Sequence, residues 1–306
     1  MKKNALLIGC GNIGALYDFE NDAILTHAKA LYLSNKYNLF FYDVDKNLSE
    51  KASKKYGECN VLELTDSIFN SADWVSLCTP TNAHFNYLKN LITLNNKFIL
   101  CEKPVSYNLQ EIEFLKNAYK KSNSKVFVNY IRRFQPAYIE IKKKYSTIFD
   151  LNKLKECSII YSRGFINNAS HAFDLLEFLF DKSMDLINII ILDKKYDYFQ
   201  NDPTISLKAK WEHANIVVKG YPNENESIFQ MKLKFDEYFI EFLNKGDEII
   251  IVDSKSNSNP LFYKNGCLTN YMQNVVTCLI NINISNKSNF ESSLHLNEKM
   301  LNIISC

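Results

Sequence analysis

A lysine that follows an apolar strand is the residue of this sequence best suited to chemistry. The stretch FILCEKPV, residues 98–105, is apolar until it reaches a carboxylate and an ammonium, Glu102 and Lys103. Two charges at the carboxyl edge of a sheet must pair, be hydrated or face a ligand, because burying them unpaired is costly. In open α/β sheets this edge is also where ligands bind. Lys103 is therefore our first candidate for a substrate contact, and an exposed ion pair with Glu102 is the alternative.

A glycine-rich turn near the start of the chain predicts a dinucleotide site. The apolar run Ala5–Ile8 is followed by GCGNIG, a G-x-G-x-x-G pattern. The first glycine permits a tight turn, the second lets backbone approach a pyrophosphate, and the third allows a helix to pack closely on the strand. The N-terminus of that helix attracts phosphate charge. A plain glycine-rich turn is the alternative, since the pattern alone is weak support. The predicted cofactor-binding residues of this turn are Gly9, Gly11, Asn12, Ile13 and Gly14.

An acidic residue after the second apolar run supports the dinucleotide interpretation. Leu39–Tyr42 is followed by Asp43, in the position where a carboxylate hydrogen-bonds the adenosine ribose. Asp43 lies 29 residues beyond Gly14 (43 minus 14), whereas the usual interval is about 20, so we interpret residues 17–26 as a local insertion. A carboxylate repels a 2′-phosphate and no arginine follows it, which favours NAD over NADP. Asp45 is the alternative for the same role.

Composition indicates two domains and excludes some partners. The chain has 306 residues, 46% of them hydrophobic, and a formal net charge of +2, which suits two domains with ample cores. The sequence has no basic stripe, no apolar span of membrane length and no apolar run long enough for a secretion signal. We therefore expect a cytoplasmic protein without a nucleic-acid or membrane partner. Its eight cysteines contain no C-x-x-C pair and are interpreted as reduced, mostly buried residues that bind no metal.

The elements that must position these residues alternate between strands and helices in the first 130 residues. This alternation predicts a doubly wound parallel sheet of the Rossmann type. The predicted helices include Asn47–Tyr56 and Asn108–Lys121. The predicted strands are Ala5–Ile8, Leu39–Tyr42, Trp74–Leu77, Phe98–Leu100 and Val126–Val128.

The second half of the sequence has a different pattern. A helix after His171 is followed by runs separated by turn residues, which predict an open, mostly antiparallel sheet in an α+β domain. Helical periodicity returns at Tyr271–Ile282 and His295–Ile304. We therefore predict a dinucleotide-binding domain at 1–128 and a substrate-binding and oligomerisation domain at 129–306. The predicted strands are Leu186–Leu192, Ile205–Trp211, Asn215–Val218, Phe229–Phe235, Tyr238–Phe242 and Glu248–Val252.

Six motifs between residues 9 and 174 occur together in a known order. They are Gly9–Gly14, Tyr42–Asp45, Thr79–His84, Cys101–Pro104, Arg133–Pro136 and His171–Asp174. In these motifs the chain resembles the Gfo/Idh/MocA family of nicotinamide-dependent oxidoreductases, and the Glu-Lys-Pro element after a Thr-Pro loop is their most specific part. The later half resembles the family mainly in its strand pattern.

The resemblance implies roles for the first set of residues. Lys103 is expected near the nicotinamide and the substrate hydroxyl, with Pro104 following a cis bond. Thr79 and Pro80 are expected to line the ribose-nicotinamide part of the groove. His84 is either a ligand contact or a packed or capping residue. The predicted cofactor contacts in this region are Thr79, Pro80, His84, Glu102 and Lys103.

His171 is the predicted acid/base catalyst. Oxidation of a secondary alcohol needs a group that takes the hydroxyl proton, and an imidazole titrating near neutrality suits this task. Its position in the first turn of a helix favours the neutral form. Asp174, three residues later, either orients the ring or caps the backbone; a buried histidine satisfied by a carbonyl is the alternative for His171 itself. The family commonly has an aspartate four residues before this histidine, whereas this sequence has Asn167. Replacing the aspartate by an amide leaves two possibilities open. Lys103 shares the proton transfer, or the enzyme preferentially reduces a ketone.

The resemblance implies a sugar, cyclitol or nucleotide-sugar substrate. The predicted substrate contacts are Lys103, Asn129, Arg133, Asn167, Asn168 and His171. Of Arg132 and Arg133, one is expected in a structural salt bridge, and binding of a substrate phosphate or carboxylate is the alternative role for this pair. We expect Lys103 and His171 to converge over the nicotinamide ring. A dehydrogenase or reductase is the leading interpretation. An NAD-dependent glycosidase that uses transient oxidation and a nonenzymatic sugar sensor are the alternatives.

The resemblance also implies self-association. An open sheet in the second domain is expected to expose a large apolar face, and a homodimer or homotetramer would bury it.

Overall fold

Two units make up the computed structural model, which describes residues 2–57, 59–94, 97–222, 226–255, 260–281 and 288–305. One unit runs through Ile131 and takes in Asn270–His295, and the other comprises Arg132–Thr269 and the chain from Leu296 onward. The sequence-based boundary after residue 128 lies three residues earlier. Asn270–His295, which we assigned to the second domain, packs instead with the first unit. Periodicity finds a helix in this segment but does not say which sheet the helix covers.

The first unit contains a six-stranded parallel sheet in the order β3-β2-β1-β4-β5-β6, which confirms the predicted doubly wound sheet. All five predicted strands are present within one or two residues, and β3, only two residues long, is the one that sequence periodicity missed. The strands are β1 (Lys3–Ile8), β2 (Tyr37–Tyr42), β3 (Cys59–Asn60), β4 (Trp74–Leu77), β5 (Phe98–Cys101) and β6 (Lys125–Val128).

Among the described residues, six helices lie wholly in the first unit, and the predicted helices from 47 and 108 are two of them. The last one ends at Ile280, before the predicted end at Ile282, a residue outside the described part of the chain. The helices are α1 (His27–Ser34), α2 (Lys46–Tyr56), α3 (Asp66–Ser71), α4 (Thr81–Thr93), α5 (Leu109–Tyr119) and, later in the chain, α8 (Tyr271–Ile280).

The segment after the glycine turn departs from the expected strand-turn-helix arrangement. Only a five-residue π-helical turn, Asn12–Leu16, follows the glycines, and α1 begins at His27. The insertion predicted at 17–26 is a non-helical loop. Buried Asp18 holds its end, because its Oδ2 accepts the backbone N–H groups of Leu25 and Thr26 at 2.6 and 2.9 Å. The helix expected after the glycine turn is therefore limited to the π-helical turn, and the predicted insertion separates it from α1.

The second unit contains an eight-stranded sheet in the order β14-β13-β12-β11-β7-β10-β9-β8. Neighbouring strands are antiparallel except for β7 and β10, which are parallel, so the mostly antiparallel sheet is confirmed. We did not predict β7 or β14. The strands are β7 (Leu154–Ser162), β8 (Leu186–Phe199), β9 (Asp202–Trp211), β10 (Ala214–Tyr221), β11 (Phe229–Phe235), β12 (Tyr238–Leu243), β13 (Glu248–Asp253) and β14 (Phe262–Lys264).

Helix α7 (Ser170–Phe180) packs on one face of this sheet. The Phe180 ring contacts Trp211 of β9 edge-on and stacks with Phe235 of β11, with centroid distances of 5.3 and 6.3 Å. Two further helices are α6 (Pro136–Lys144) and α9 (Phe290–Ser305).

The other face of the sheet is polar over β9, β10 and β11, which corrects the expected apolar face. Its exposed positions alternate with buried apolar ones, as in any half-buried strand. Exposed apolar side chains lie instead on the edge strand β8, at Ile187, Ile190 and Leu192. Self-association of the chain stays a prediction. The exposed residues of the polar face are Lys208, Lys210, Asn215, Lys219, Gln230, Lys232 and Lys234.

Two further properties concern the described residues only. None of their helices has the length and apolarity that a membrane crossing requires. Seven of the eight cysteines are described and form no disulfide, and four of these seven are buried; Cys306 lies outside the described residues.

Candidate functional site

The glycine turn brings the ends of β1 and β4 close together. Gly9 has a φ of +95°, and a Cβ at this position would lie 2.7 Å from the carbonyl carbon of Cys78. A Cβ at Gly14 would overlap the carbonyl oxygen of Gly9. At Gly11, in contrast, a Cβ would have no described atom within 4 Å. Gly9 and Gly14 are therefore needed for packing, whereas Gly11 leaves its backbone open to a ligand.

Asp43 ties the end of β2 to this turn. Its Oδ2 accepts the backbone N–H of Cys10 at 2.6 Å, and its Oδ1 accepts that of Asp45 at 2.9 Å. Asp45 caps α2 by accepting the N–H of Asn47 at 3.0 Å. The geometry therefore favours Asp43 over Asp45 for the ribose, because the Asp45 side chain serves as the helix cap.

A cavity of about 520 Å³ lies between these elements and fits the adenosine end of a dinucleotide. Gly11 and Asp43 line it from one side, and Thr79 and Pro80 from the other. The buried hydroxyl of Thr79 has no hydrogen-bond partner among the described residues. A buried polar atom of this kind is rare unless a ligand or water satisfies it. The open approach to Gly11, the Asp43 carboxylate and this hydroxyl meet the needs of a bound dinucleotide.

The Glu102–Lys103 pair follows β5 at the same edge of the sheet, and the bond from Lys103 to Pro104 is cis, as expected. Oε1 of Glu102 lies 2.9 Å from Nε2 of His27 and accepts the side-chain N–H of Asn129 at 2.6 Å. Burial raises the pKa of Glu102, but the bonds and charge of His27, the bond from Asn129 and the charge of Lys103 together hold it below its ordinary value. Glu102 is thus a carboxylate held ionised beside Lys103.

Asn129 presents an unsatisfied acceptor at this edge. Its Nδ2 faces the Glu102 carboxylate, which fixes the orientation of the amide because only an N–H can face an acceptor. Its buried Oδ1 has no partner among the described residues. A ligand hydroxyl or amide would satisfy this oxygen, which agrees with the predicted substrate contact.

His84 has a structural role, which decides between the two alternatives for it. This fully buried ring places Nε2 2.8 Å from the carbonyl of Thr79 and Nδ1 2.9 Å from that of Pro104. Burial lowers its pKa, and these hydrogen bonds oppose the shift. Both ring nitrogens face backbone, so His84 joins the two loops that line the site and does not offer a nitrogen to the cofactor.

In the second unit, Asn167, Asn168 and His171 lie on one turn and the start of α7. The π-helical turn Phe165–Ala169 leads directly into α7, and its apolar residues are buried whereas these three side chains are partly exposed. Asn168 donates its Nδ2 to the carbonyls of Ser162 and Arg163 at 2.8 and 2.9 Å. The sequence therefore supplies a polar, accessible segment on a fixed turn.

Asp202 is the residue that fixes this turn. Its Oδ1 accepts the N–H of Ile166 at 2.8 Å, and its Oδ2 accepts the N–H of Asn167 at 2.7 Å. Asp202 is fully buried at the start of β9. We missed it because an aspartate before a proline is typical of an exposed turn, and only the folded sheet brings it to this segment.

Both arginines of the predicted pair have structural partners. Nε of Arg133 donates to Oδ1 of Asp174 at 2.7 Å, so Asp174 pairs with Arg133. Arg132 donates to the carbonyl of Lys245 at 2.5 Å and stacks 3.9 Å from the centroid of the Phe229 ring. Arg133 therefore forms the expected structural salt bridge. A contact between Arg133 and an anionic group of the substrate stays a prediction.

The predicted site residues divide between the two units. The glycine turn, Asp43, Thr79, Lys103 and Asn129 belong to the first unit, and Arg133, Asn167, Asn168 and His171 to the second. The predicted convergence of Lys103 and His171 joins residues of different units and stays a prediction.

The sequence analysis did not identify His27 as the partner of Glu102. A lone histidine after an insertion belongs to no motif, so no sequence signal marks it.

Comparison with known proteins identifies a matching family model and similar sequences that each cover part of this chain. Residues 3–130 match the Gfo/Idh/MocA family model, described as an oxidoreductase family with an NAD-binding Rossmann fold. Inositol 2-dehydrogenase of Rhizobium meliloti is 28% identical over 140 residues, which cover 45% of this chain and 38% of that protein. The uncharacterized oxidoreductase YrbE of Bacillus subtilis is 27% identical over 142 residues, 44% of this chain and 38% of that protein. The matched region thus spans well under half of each relative.

Solved structures share the fold over nearly the whole chain. UDP-N-acetylglucosamine 3-dehydrogenase GnnA from Acidithiobacillus ferrooxidans has a TM-score of 0.77 at 13% identity, covering 99% of this chain and 97% of that one. A myo-inositol dehydrogenase from Corynebacterium glutamicum has a TM-score of 0.69 at 15% identity, covering 99% and 95%. At these identities the likeness concerns the fold.

Proposed function

We propose that this protein is an NAD-dependent dehydrogenase or reductase, because residues 3–130 match the model of the Gfo/Idh/MocA oxidoreductase family, described as having an NAD-binding Rossmann fold. It transfers a hydride between the cofactor and a secondary alcohol or ketone of a sugar or cyclitol. One observation carries the proposal: the glycine turn, Asp43 and the Glu102–Lys103 pair all lie at the carboxyl ends of strands of one parallel sheet. This is the edge where such sheets bind dinucleotides and their substrates.

The cofactor is NAD in this proposal. The backbone of the glycine turn, which is open at Gly11, holds the pyrophosphate, and Asp43 binds the adenosine ribose. The Asp43 carboxylate repels the 2′-phosphate of NADP, and the Cys10 N–H bond at 2.6 Å keeps the carboxylate at the cavity. When bound, the cofactor accepts or supplies the hydride at its nicotinamide ring.

The proton chemistry is assigned to two side chains. Lys103 holds an ammonium that hydrogen-bonds the reacting oxygen of the substrate. His171 takes the hydroxyl proton during oxidation and returns it during reduction. Asn167 orients the substrate, since an amide donates and accepts hydrogen bonds without charge.

The substrate class is a small polyhydroxylated molecule. Partly exposed Asn167, Asn168 and His171 and the unsatisfied Oδ1 of Asn129 are groups that pair with hydroxyls. The dehydrogenases named above act, by their names, on inositol and on a nucleotide-linked aminosugar, which supports this class.

A spectroscopic assay tests the proposal. The protein is incubated with NAD or NADP and a panel of inositols, hexoses and UDP-sugars, and NADH or NADPH is followed by absorbance. We expect net NADH formation with at least one member. Sugar release without net NADH would instead indicate the glycosidase alternative, and tight binding of cofactor and sugar without turnover would indicate a sensor. Either result would overturn the proposed function.

A further inference from the structure

A chain of buried hydrogen bonds connects Trp74 with the carboxylate beside Lys103. Nε1 of Trp74 donates to Oγ of Ser76 at 2.9 Å. That hydroxyl lies 3.2 Å from Nδ1 of His27, whose Nε2 lies 2.9 Å from Oε1 of Glu102. Trp74, Ser76 and His27 are at most 1% exposed. These three members therefore lie inside the first unit, away from bulk water, and the chain ends at Glu102, whose side chain is 14% exposed.

Donor and acceptor chemistry fixes the two ends of this chain. An indole N–H can only donate, so Ser76 Oγ accepts from Trp74. An ionised carboxylate can only accept, so Nε2 of His27 carries a hydrogen toward Glu102. Nδ1 of His27 meets a hydroxyl, which can accept from a nitrogen that carries a hydrogen or donate to one that does not, so every member of the chain has a partner in either case. Because the chain ends at an indole, which neither takes up nor releases a proton, it orients the carboxylate and does not conduct protons.

The chain ends on the residue adjacent to Lys103. Glu102 stays ionised because the bonds of His27 and Asn129 and the charge of Lys103 outweigh the effect of burial on its pKa. An anion held in place favours the charged ammonium next to it. The titratable groups that act on Glu102 come from α1, α4, α8 and the ends of β4 and β5: His27, Cys78, His84, Cys101, Lys103 and Tyr271.

We propose that His27 is a positioning residue of the reaction, which holds the Glu102 carboxylate as an oriented anion and through it keeps Lys103 charged and in place. The inference rests on the proposed function of Lys103. It adds a residue that touches neither cofactor nor substrate.

Two substitutions of His27 separate positioning from packing. In His27→Gln the side-chain amide can donate to Glu102 and accept from Ser76, whereas His27→Leu fills similar space and does neither. We expect His27→Leu to lower kcat by about 10- to 100-fold, to leave NAD affinity within about twofold, and to move the alkaline limb of the pH profile to lower pH. His27→Gln should restore most of kcat and return the alkaline limb of the pH profile toward its position in the parent. Exposed His213 provides the control, since His213→Leu and His213→Gln should change neither.

A milder variant covers the case in which His27→Leu does not fold. Ser76→Ala removes the hydroxyl that pairs with Nδ1 of His27 but keeps the imidazole. We expect the alkaline limb to move in the same direction by a smaller amount. A Ser76→Ala profile identical to the parent, together with equal kcat for the two His27 variants, would overturn the proposal.

NMR tests the chain independently of activity. Long-range ¹H–¹⁵N spectra of the protein should show a hydrogen on Nε2 of His27, and ¹³C-labelled glutamate should show Glu102 titrating at higher pH in His27→Leu than in the parent. An Nδ1–H tautomer, or an unchanged Glu102 titration, would overturn the inference even in an active enzyme. If the NMR results are as expected but no substrate is oxidised or reduced, the proposed function is wrong. The positioning role of His27 in the reaction is then also wrong, whereas the hydrogen-bond chain itself is confirmed.

Discussion

The carboxylate of Asp202 accepts the backbone N–H of Asn167 at 2.7 Å, four residues before His171. The family resemblance places an aspartate at position 167, and this chain has an amide there. The negative charge on this segment belongs to Asp202, which arrives from β9 and binds backbone. The turn is therefore held by a residue other than the one at position 167.

Asp202→Asn should loosen this turn. Asparagine places an N–H donor against one of the two backbone N–H groups, so one buried donor loses its acceptor. We expect the free energy of unfolding to fall by about 1–3 kcal/mol and KM for the sugar to rise, with NAD affinity unchanged. Urea unfolding and steady-state kinetics measure both. Asp193→Asn is the control: this half-exposed side chain pairs with Lys195 at 3.3 Å, and its loss should cost less than about 0.5 kcal/mol. Equal effects of the two variants would contradict the assigned role.

Gly11→Ala and Gly14→Ala should have opposite consequences. A methyl at Gly11 meets no described atom within 4 Å, so the protein should fold normally and bind NAD at least about tenfold more weakly, because the methyl stands where the pyrophosphate approaches. A methyl at Gly14 meets the carbonyl of Gly9, so Gly14→Ala should lower the free energy of unfolding by about 1–3 kcal/mol or more. Thermal melts and NAD titration by calorimetry distinguish the two. Normal NAD affinity in folded Gly11→Ala would show that no dinucleotide lies on this turn.

Asp43→Asn should reduce the preference for NAD. Removing the charge removes the repulsion of a 2′-phosphate and weakens the bond to the ribose, so the ratio of kcat/KM for NAD to that for NADP should fall by about tenfold. The Asn can still accept the Cys10 N–H with its side-chain oxygen, so the turn should stay folded. Kinetics with both cofactors measure the ratio. An unchanged ratio would argue that Asp43 serves only the fold of the turn.

Lys103→Met and His171→Gln should each remove turnover without removing the cofactor. Each variant keeps most of the side-chain volume and loses the acid/base group, so kcat should fall by at least about 100-fold. NADH binding, followed by fluorescence titration, should stay within about twofold of the parent. A variant with near-normal kcat would assign that residue a structural role.

Stability should decrease with rising pH because of two buried carboxyl groups on α7. Burial, opposed by Arg133, raises the pKa of Asp174 to about 6, and burial, opposed by the Met184 N–H, raises that of Glu177 to about 7. Their ordinary values are 3.8 and 4.5. At a pH between the ordinary and the raised pKa of each group, the folded protein binds more protons than the unfolded chain. The free energy of unfolding therefore falls as pH rises from about 4 to 7.

Glu177→Gln tests this assignment, because the amide cannot titrate and can still accept the Met184 N–H. Between pH 5 and 8 the variant should lose about 1–3 kcal/mol less stability than the parent, measured by urea unfolding at each pH. Exposed Glu212, paired with Lys182, is the matched control, and Glu212→Gln should follow the parent curve. Superimposable curves for Glu177→Gln and the parent would refute the role of Glu177.

Sequence patterns predicted the local features well, because strands and turns are encoded by neighbouring residues. The runs ending at Ile8, Tyr42 and Leu77 are strands within two residues of their predicted bounds. The polar face of the second sheet could also have been seen in the alternation of lysines in Phe229–Phe235. The partners of His27 and Asp202 could not, since each lies more than 30 residues away along the chain.

The sequence by itself determined which functional groups are present and which element each one follows or begins. These are glycines where two backbones come close, an acidic residue after β2, a lysine after β5 and a histidine in the first turn of α7. These depend on residue type and on spacing within one element. Only the tertiary structure decided that the loop of residues 17–26 delays the first helix, that Asp174 pairs with Arg133, and that His27 and Asp202 support the candidate residues. Such pairings are selected when burial removes water and each remaining polar group must find a partner among whatever side chains the fold brings near.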